Sequence, residues 1–197
     1  VSDEEGLTGE DDARLVARAA KGDANAFEIL VVRHRAAVYR FARTIAKNAS
    51  DAEEVLQETF LSAWRGAAGF GGRSSVRTWL LVIARNGALR ARGRADARRE
   101  DGGESLVELG TRAGFGAQDP ERIALAAERR NALATALASL DPEDREILVL
   151  RDLERISGEE CADALGLSLP AMKSRLNRAR LRLVAAVHGA AGNGRRR

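Results

Sequence analysis

The run from Ile156 to Val187, ISGEECADALG-LSL-PAMKSRLNRARLRLVAAV, constrains the fold more than any other stretch. Ser157 with Glu160 three residues on is a capping-box pattern, in which each side chain satisfies an orphan amide at a helix start. Gly166 closes that short helix, because glycine enters the left-handed conformation of a helix exit without a Cβ clash. Ser168 stands as a second cap, and Pro170 suits a first turn, where no backbone donor is required. Helix, tight turn and helix make a helix-turn-helix, whose second helix is the one that enters a DNA groove.

The second helix has two unlike faces. Met172, Leu176, Ala179 and Leu183 recur at spacings of four and three and form the inward stripe. Lys173, Ser174, Asn177, Arg178 and Leu181 lie on the other side. Lysine and arginine reach phosphates or guanine edges, while serine and asparagine read base edges or fix the backbone. No acid occurs from Ala171 to Arg197. A solvated basic helix is the plain alternative; the turn chemistry and the acid-free face together favour DNA binding. The net charge of +3 hides an asymmetry, since Asp3 to Asp12 is acidic and the chain closes on Arg195, Arg196 and Arg197. Such a distribution suits a polyanion at one end.

The 197 residues suit one or two domains, and 45% hydrophobic content is enough to build a core. Three prolines, 4% aromatics and little strand-like alternation favour an all-α protein. The single cysteine, Cys161, excludes an internal disulfide and a cysteine-based zinc site, and among Ile156, Ala162 and Leu165 it reads as a packed thiol. His34 and His188 are too isolated to form a metal site. The expectation is no metal, no cofactor and no membrane contact of its own, in a cytoplasmic protein without a leader or long apolar run. With no phosphate loop, nucleophile elbow or HExxH pattern, an enzyme is not expected.

Taken in order, residues 1–10 read as a disordered acidic segment and about Asp11–Lys21 as a helix ending at Gly22. Asp23 caps a core helix carrying Phe27, Leu30, Val38 and Phe41. After a break at Lys47-Asn48-Ala49, Ser50 with Glu53 is expected as another capping box. The helix Asp51–Arg65 has a stripe of Ala52, Val55, Leu56, Thr59, Phe60, Ala63 and Trp64 to bury. Its opposite side, Glu54, Gln57, Glu58 and Leu61, fits protein docking better than phosphate binding, with a solvated face as the alternative. Next come a glycine-rich loop, Gly66–Ser75, holding Phe70, and a helix from Val76 to about Arg92 that buries Trp79, Leu80, Val82 and Ile83. Arg77, Arg85, Asn86, Arg90, Arg92 and Arg94 make this helix and its end polar and basic. A loop with an aromatic leading into arginines suits single-stranded or melted nucleic acid, unless Phe70 is a core anchor.

Residues 96–120 read as a flexible linker, rich in glycine and charge. Beyond it Leu125, Leu133, Leu137 and Leu140 form a helical stripe. Asp141-Pro142 reads as a cap with a first-turn proline, opening a helix Pro142–Leu153 that buries Ile147, Leu148 and Leu150. The expected architecture is two small helical domains, 11–95 and 121–188, joined by that linker, the second a helix-turn-helix followed by a basic tail at 189–197.

Three ordered motifs then stand out: DAEEVLQETFLSAWR at 51–65, FGGRSSVRTWLLVIARN at 70–86, and LDPEDREILVLRDLE with SGEECADALGLSLPAMKSRLNRARLRL within 140–183. Together they resemble the bacterial RNA polymerase sigma factors, in the extracytoplasmic-function group of the sigma-70 family. The resemblance implies a transcription initiation factor whose first domain docks on the polymerase clamp through Asp51, Glu54, Gln57 and Leu61. It implies a loop that captures a flipped base of the −10 element with Phe70, Arg73, Ser74 and Ser75, while Arg77, Arg85, Asn86 and Arg90 hold the melted strand. It implies that Lys173, Ser174, Asn177 and Arg178 read the −35 duplex, with Arg175 reaching backbone phosphate. The partners implied are core RNA polymerase, promoter DNA as duplex and melted strand, and an anti-sigma factor. The chain departs from the family's usual pattern at Gly71, Arg73 and Pro170-Ala171, where Arg, an acid and Gly-Thr are common. Outside the family, the alternative is a dimeric helix-turn-helix regulator that binds palindromes without polymerase; it gives residues 66–94 no role.

Overall fold

The computed structural model describes residues 11–46, 48–96 and 131–194. The 1–10 segment, Lys47, the linker beyond Asp96, Leu125 and the last three arginines lie outside the described residues. The chain divides into two compact units, Val1–Gly102 and Gly103–Arg197. All regular structure among the described residues is helical.

The first unit holds α1 (Asp12–Ala19), α2 (Ala24–Ile45), α3 (Ala49–Gly66) and α4 (Val76–Asp96). Gly22, at φ +89, turns the chain between α1 and α2. Asp23 then caps α2, its Oδ1 accepting the Ala26 amide at 3.1 Å. That bond, helped by the Arg18 guanidinium, holds the Asp23 carboxyl below the usual range. α2, α3 and α4 pack on one another, and α1 lies on α2. Leu15, Leu30, Phe41, Leu80 and Leu81 are completely or almost completely buried at the centre, each such side chain contributing about 1.5–3 kcal/mol. The Phe27 ring meets Phe60 and Trp64 edge-on, at 6.2 and 5.1 Å, and ties α2 to α3. Asp12 pins α1 to α2, taking Arg33 at 2.8 Å and the buried His34 Nε2 at 2.7 Å.

Several expectations need correction here. The cap of α3 is Asn48, not Ser50: its backbone is extended and its Oδ1 accepts the Asp51 amide at 2.8 Å. Asparagine is as strong a cap as serine, so the helix starts two residues early and Ser50 falls in its first turn. Leu56 and Trp64 are half-buried at the margins of the α3 stripe. On α4 the inward face is Val76, Leu80, Leu81, Ala84 and Ala88, which leaves Val82 and Ile83 half-buried on its flanks. Trp79 is also half-buried, because it covers Phe70. The expected loop is shortened, since α3 reaches Gly66 and a 3-10 turn follows at Ala67–Gly69.

In the second unit residues 131–138 are helical. They are followed by α5 (Pro142–Leu148) with a π turn at Val149–Leu153, then α6 (Gly158–Leu165) and α7 (Leu169–Gly194). Burial in the 131–138 helix and its exit falls on Ala136 and Leu140, the turn nearest α5, so Leu133 stays 45% exposed one turn earlier. Asp141 does not cap α5 with its side chain. Its backbone carbonyl accepts the Asp144 and Arg145 amides, and its carboxylate sits 3.7 Å from Arg182, an opposite charge. Ile147, Leu148 and Leu150 form the core as expected, with Met172, Leu176 and Ala179 of α7 buried in the same unit. α7 runs on to Gly194, through most of the stretch expected as a tail.

Candidate nucleic-acid interface

The helix-turn-helix forms as its residues dictate. Ser157 Oγ accepts the Glu160 amide at 3.2 Å and Glu160 Oε2 accepts the Ser157 amide at 3.3 Å, completing the capping box. Gly166 adopts φ +66, and Ser168 Oγ accepts the Ala171 amide at 3.3 Å. Cys161 is fully buried beneath the turn, and burial pushes its thiol up to about 11, so it stays protonated and inert.

On α7, Lys173, Ser174, Asn177, Arg178 and Leu181 all face outward and are exposed. Arg175 is set apart from them: half-buried, it turns to Glu143 of α5 at 2.9 Å. Two further arginines are also tied down. Arg180 makes a two-pronged pair with Asp152 of the π turn, and Arg182 pairs with the buried Asp144 of α5. The carboxylate hydrogen bonds raise the pKa of both guanidinium groups. These pairs fix how α7 lies on its unit, and sequence spacing could not reveal them, because their partners are 28 and 38 residues away.

In the first unit, α3 presents Glu54, Gln57, Glu58 and Leu61 to solvent, with Leu61 50% exposed and Asp51 half-buried at the start of the same face. This is an acidic strip around one apolar side chain, a composition that suits a protein partner and repels phosphate. The loop beyond is more ordered than its glycines suggested. Phe70 is half-buried with its ring centre 5.0 Å from that of Trp79, so it is anchored, not projecting. Gly72 takes φ +66 to turn the loop, and Arg73 is exposed. Ser75 caps α4, its Oγ accepting the Thr78 amide at 3.0 Å, and Ser74 Oγ donates to the Ser75 carbonyl. Along α4, Asn86 and Arg90 are exposed, whereas Arg77 and Arg85 are half-buried and engaged by neighbouring groups. The span from Phe70 to Arg90 thus joins a loop anchored at Phe70, the exposed Arg73 and a helix whose outer edge carries Asn86 and Arg90.

Comparison with known proteins follows this division. Residues 30–98 match the family described as Sigma-70 region 2, and residues 130–183 match Sigma-70, region 4. The RNA polymerase sigma factor CnrH of Cupriavidus metallidurans is 34% identical over 179 residues, spanning 88% of this chain and 93% of that protein. RNA polymerase sigma-H factor of Pseudomonas aeruginosa is 34% identical over 186 residues, 88% of this chain and 92% of the relative. The ECF RNA polymerase sigma-E factor of Escherichia coli is 33% identical over 183 residues, 86% and 90% respectively. Among solved structures, CnrH in complex with the cytosolic domain of CnrY superposes with TM-score 0.64 at 29% identity, over 91% of this chain and 99% of that one. The sigma factor RpoE bound to the anti-sigma factor NepR, from Bartonella quintana, also gives 0.64, at 26% identity over 82% and 96%.

Proposed function

Because the chain belongs to the extracytoplasmic-function sigma factors of RNA polymerase, we propose that it selects and opens promoters through the surfaces described above. Asp51, Glu54, Gln57 and Leu61 of α3 dock on core polymerase. Phe70, Arg73, Ser74 and Ser75 form the base-capturing loop of the −10 element, with Phe70 acting as a wall braced by Trp79. Arg77, Arg85, Asn86 and Arg90 line the path of the melted strand. Lys173, Ser174, Asn177 and Arg178 read the −35 duplex. Arg175, held by Glu143, contributes to that surface by orienting α7 and by adding positive potential. Members of this family are initiation factors and not catalysts; the reaction they serve belongs to polymerase.

The observation that carries the reading is the outer face of α7. Four polar side chains of the kinds that read DNA are exposed together, on a helix whose inner face and flanking arginines are fixed. The family relationship and the solved complexes of CnrH with CnrY and of RpoE with NepR support a further reading: this chain is held inactive by an anti-sigma factor in the cytoplasm, where its polymerase resides. Its basic surfaces are divided between two small units, so its own DNA affinity is weak and salt-sensitive. A gel shift on promoter duplex with and without core polymerase tests the proposal. A shifted complex and a new transcript are expected only with polymerase; a shift of palindromic duplex by the chain alone, with no transcript from any fragment, would refute it.

A further inference from the structure

We infer that Arg155 is a phosphate-binding residue of the helix-turn-helix unit, gripping the DNA backbone beside the groove that α7 enters; this rests on the duplex-binding reading above. The exposed cations of this unit sort by partner. Arg180 and Arg182 are bound to carboxylates. Among the described residues, Arg155, Lys173 and Arg178 are exposed with no carboxylate partner. Lys173 and Arg178 already stand on the recognition face, so among the described residues Arg155 is the remaining exposed lysine or arginine of this unit that no carboxylate holds.

Its placement is specific. The Glu154 amide donates to the Val149 carbonyl at 2.8 Å and the Ile156 amide to the Leu150 carbonyl at 3.0 Å, so the backbone is fixed on both sides. Between them Arg155 is forced to φ +55, unlike every other described non-glycine residue. Glycine would hold that conformation without strain; arginine there adds a charge at an energetic cost. Gly158, three residues on, opens α6 so close to α7 that a Cβ on it would lie 3.3 Å from Leu169 Cδ1 and 3.4 Å from Met172 Cε. Arg155 thus lies on the segment that leads into α6, whose first residue packs on the first turn of α7; in a helix-turn-helix that end of the second helix meets base edges, while the preceding helix crosses the backbone. A guanidinium at that crossing pairs with phosphate oxygens, often through two parallel bonds.

The test uses the full chain bound to core polymerase, with two unlike promoter duplexes selected by that holoenzyme from a random-sequence pool. Arg155→Gly, which removes charge and strain, and Arg155→Asn, which tolerates positive φ, should each bind both duplexes several-fold more weakly. Removing one phosphate interaction lowers the salt slope by about 0.9, so the wild type should lose about three- to fourfold more affinity than either variant between 50 and 200 mM salt. Arg155→Lys, which keeps the charge but not the guanidinium fork, should keep the wild-type salt slope, and Arg155→Gly should melt no lower than wild type. Unchanged affinity in Arg155→Gly and Arg155→Asn, with Lys173→Ala and Arg178→Ala impaired, overturns the inference and leaves the duplex reading standing. Weakened binding with an unchanged salt slope also overturns it, since that marks a structural effect. If Lys173→Ala and Arg178→Ala bind normally too, the duplex reading fails with it.

Discussion

Replacing Leu61 with alanine isolates the apolar part of the α3 docking face. The residue is 50% exposed in the free chain, while its neighbours Val55, Thr59 and Ala63 are buried. Fully burying a leucine is worth about 1.5–3 kcal/mol, so a partner that covers the exposed half gains about 0.8–1.5 kcal/mol, or about four- to twelvefold in Kd. The retained Cβ of alanine puts the expected loss toward the lower end. Val32 on α2 is the control, being 62% exposed and outside the α3 face; Val32→Ala should leave the affinity unchanged. Competition binding to core polymerase against a labelled wild-type chain measures both, with thermal unfolding run alongside. If Leu61→Ala binds within twofold of wild type while folding normally, or if Val32→Ala weakens binding equally, the assignment of this face is wrong.

Other outcomes follow from single interactions. Ser157→Ala removes the cap of α6 and should cost about 1 kcal/mol, lowering the thermal midpoint of its unit by about 4–8 °C. Ile147→Ala, at a completely buried site, should cost about 2–5 kcal/mol and abolish duplex binding before it affects polymerase binding, read by gel shift and competition. Arg182→Ala should destabilise more than Asp144→Ala in urea titrations, because it strands a buried carboxylate, whereas the reverse change frees an exposed guanidinium to water. Cys161 retains its proton in the folded chain up to about 11, while an unfolded thiol titrates near 9.0. The unfolded state thus binds fewer protons across that window, and stability should fall as pH rises through it, by up to about 1.4 kcal/mol per unit. At pH 8 a thiol reagent should modify Cys161 only when the unit opens.

The helix-turn-helix is legible in the amino-acid order alone, because capping, the glycine exit and the apolar stripe of α7 are interactions within a few residues of one another. Ser157 with Glu160, Gly166 and Ser168 need no partner from elsewhere. The exposed strip of α3 is equally legible, since helical period alone sets Glu54, Gln57 and Leu61 opposite Val55 and Thr59. Whatever depends on a distant group had to wait for the packed chain. Spacing makes Arg175, Arg180 and Arg182 look like members of a basic surface, yet carboxylates on α5 and the π turn claim all three. Phe70 is ambiguous until Trp79 is seen against it. Asn48 caps α3 in place of Ser50 because its backbone is the extended one. A local pattern fixes which side chains share a face; only packing fixes which of them remain for a partner, because charge and apolar surface are consumed by whatever lies opposite.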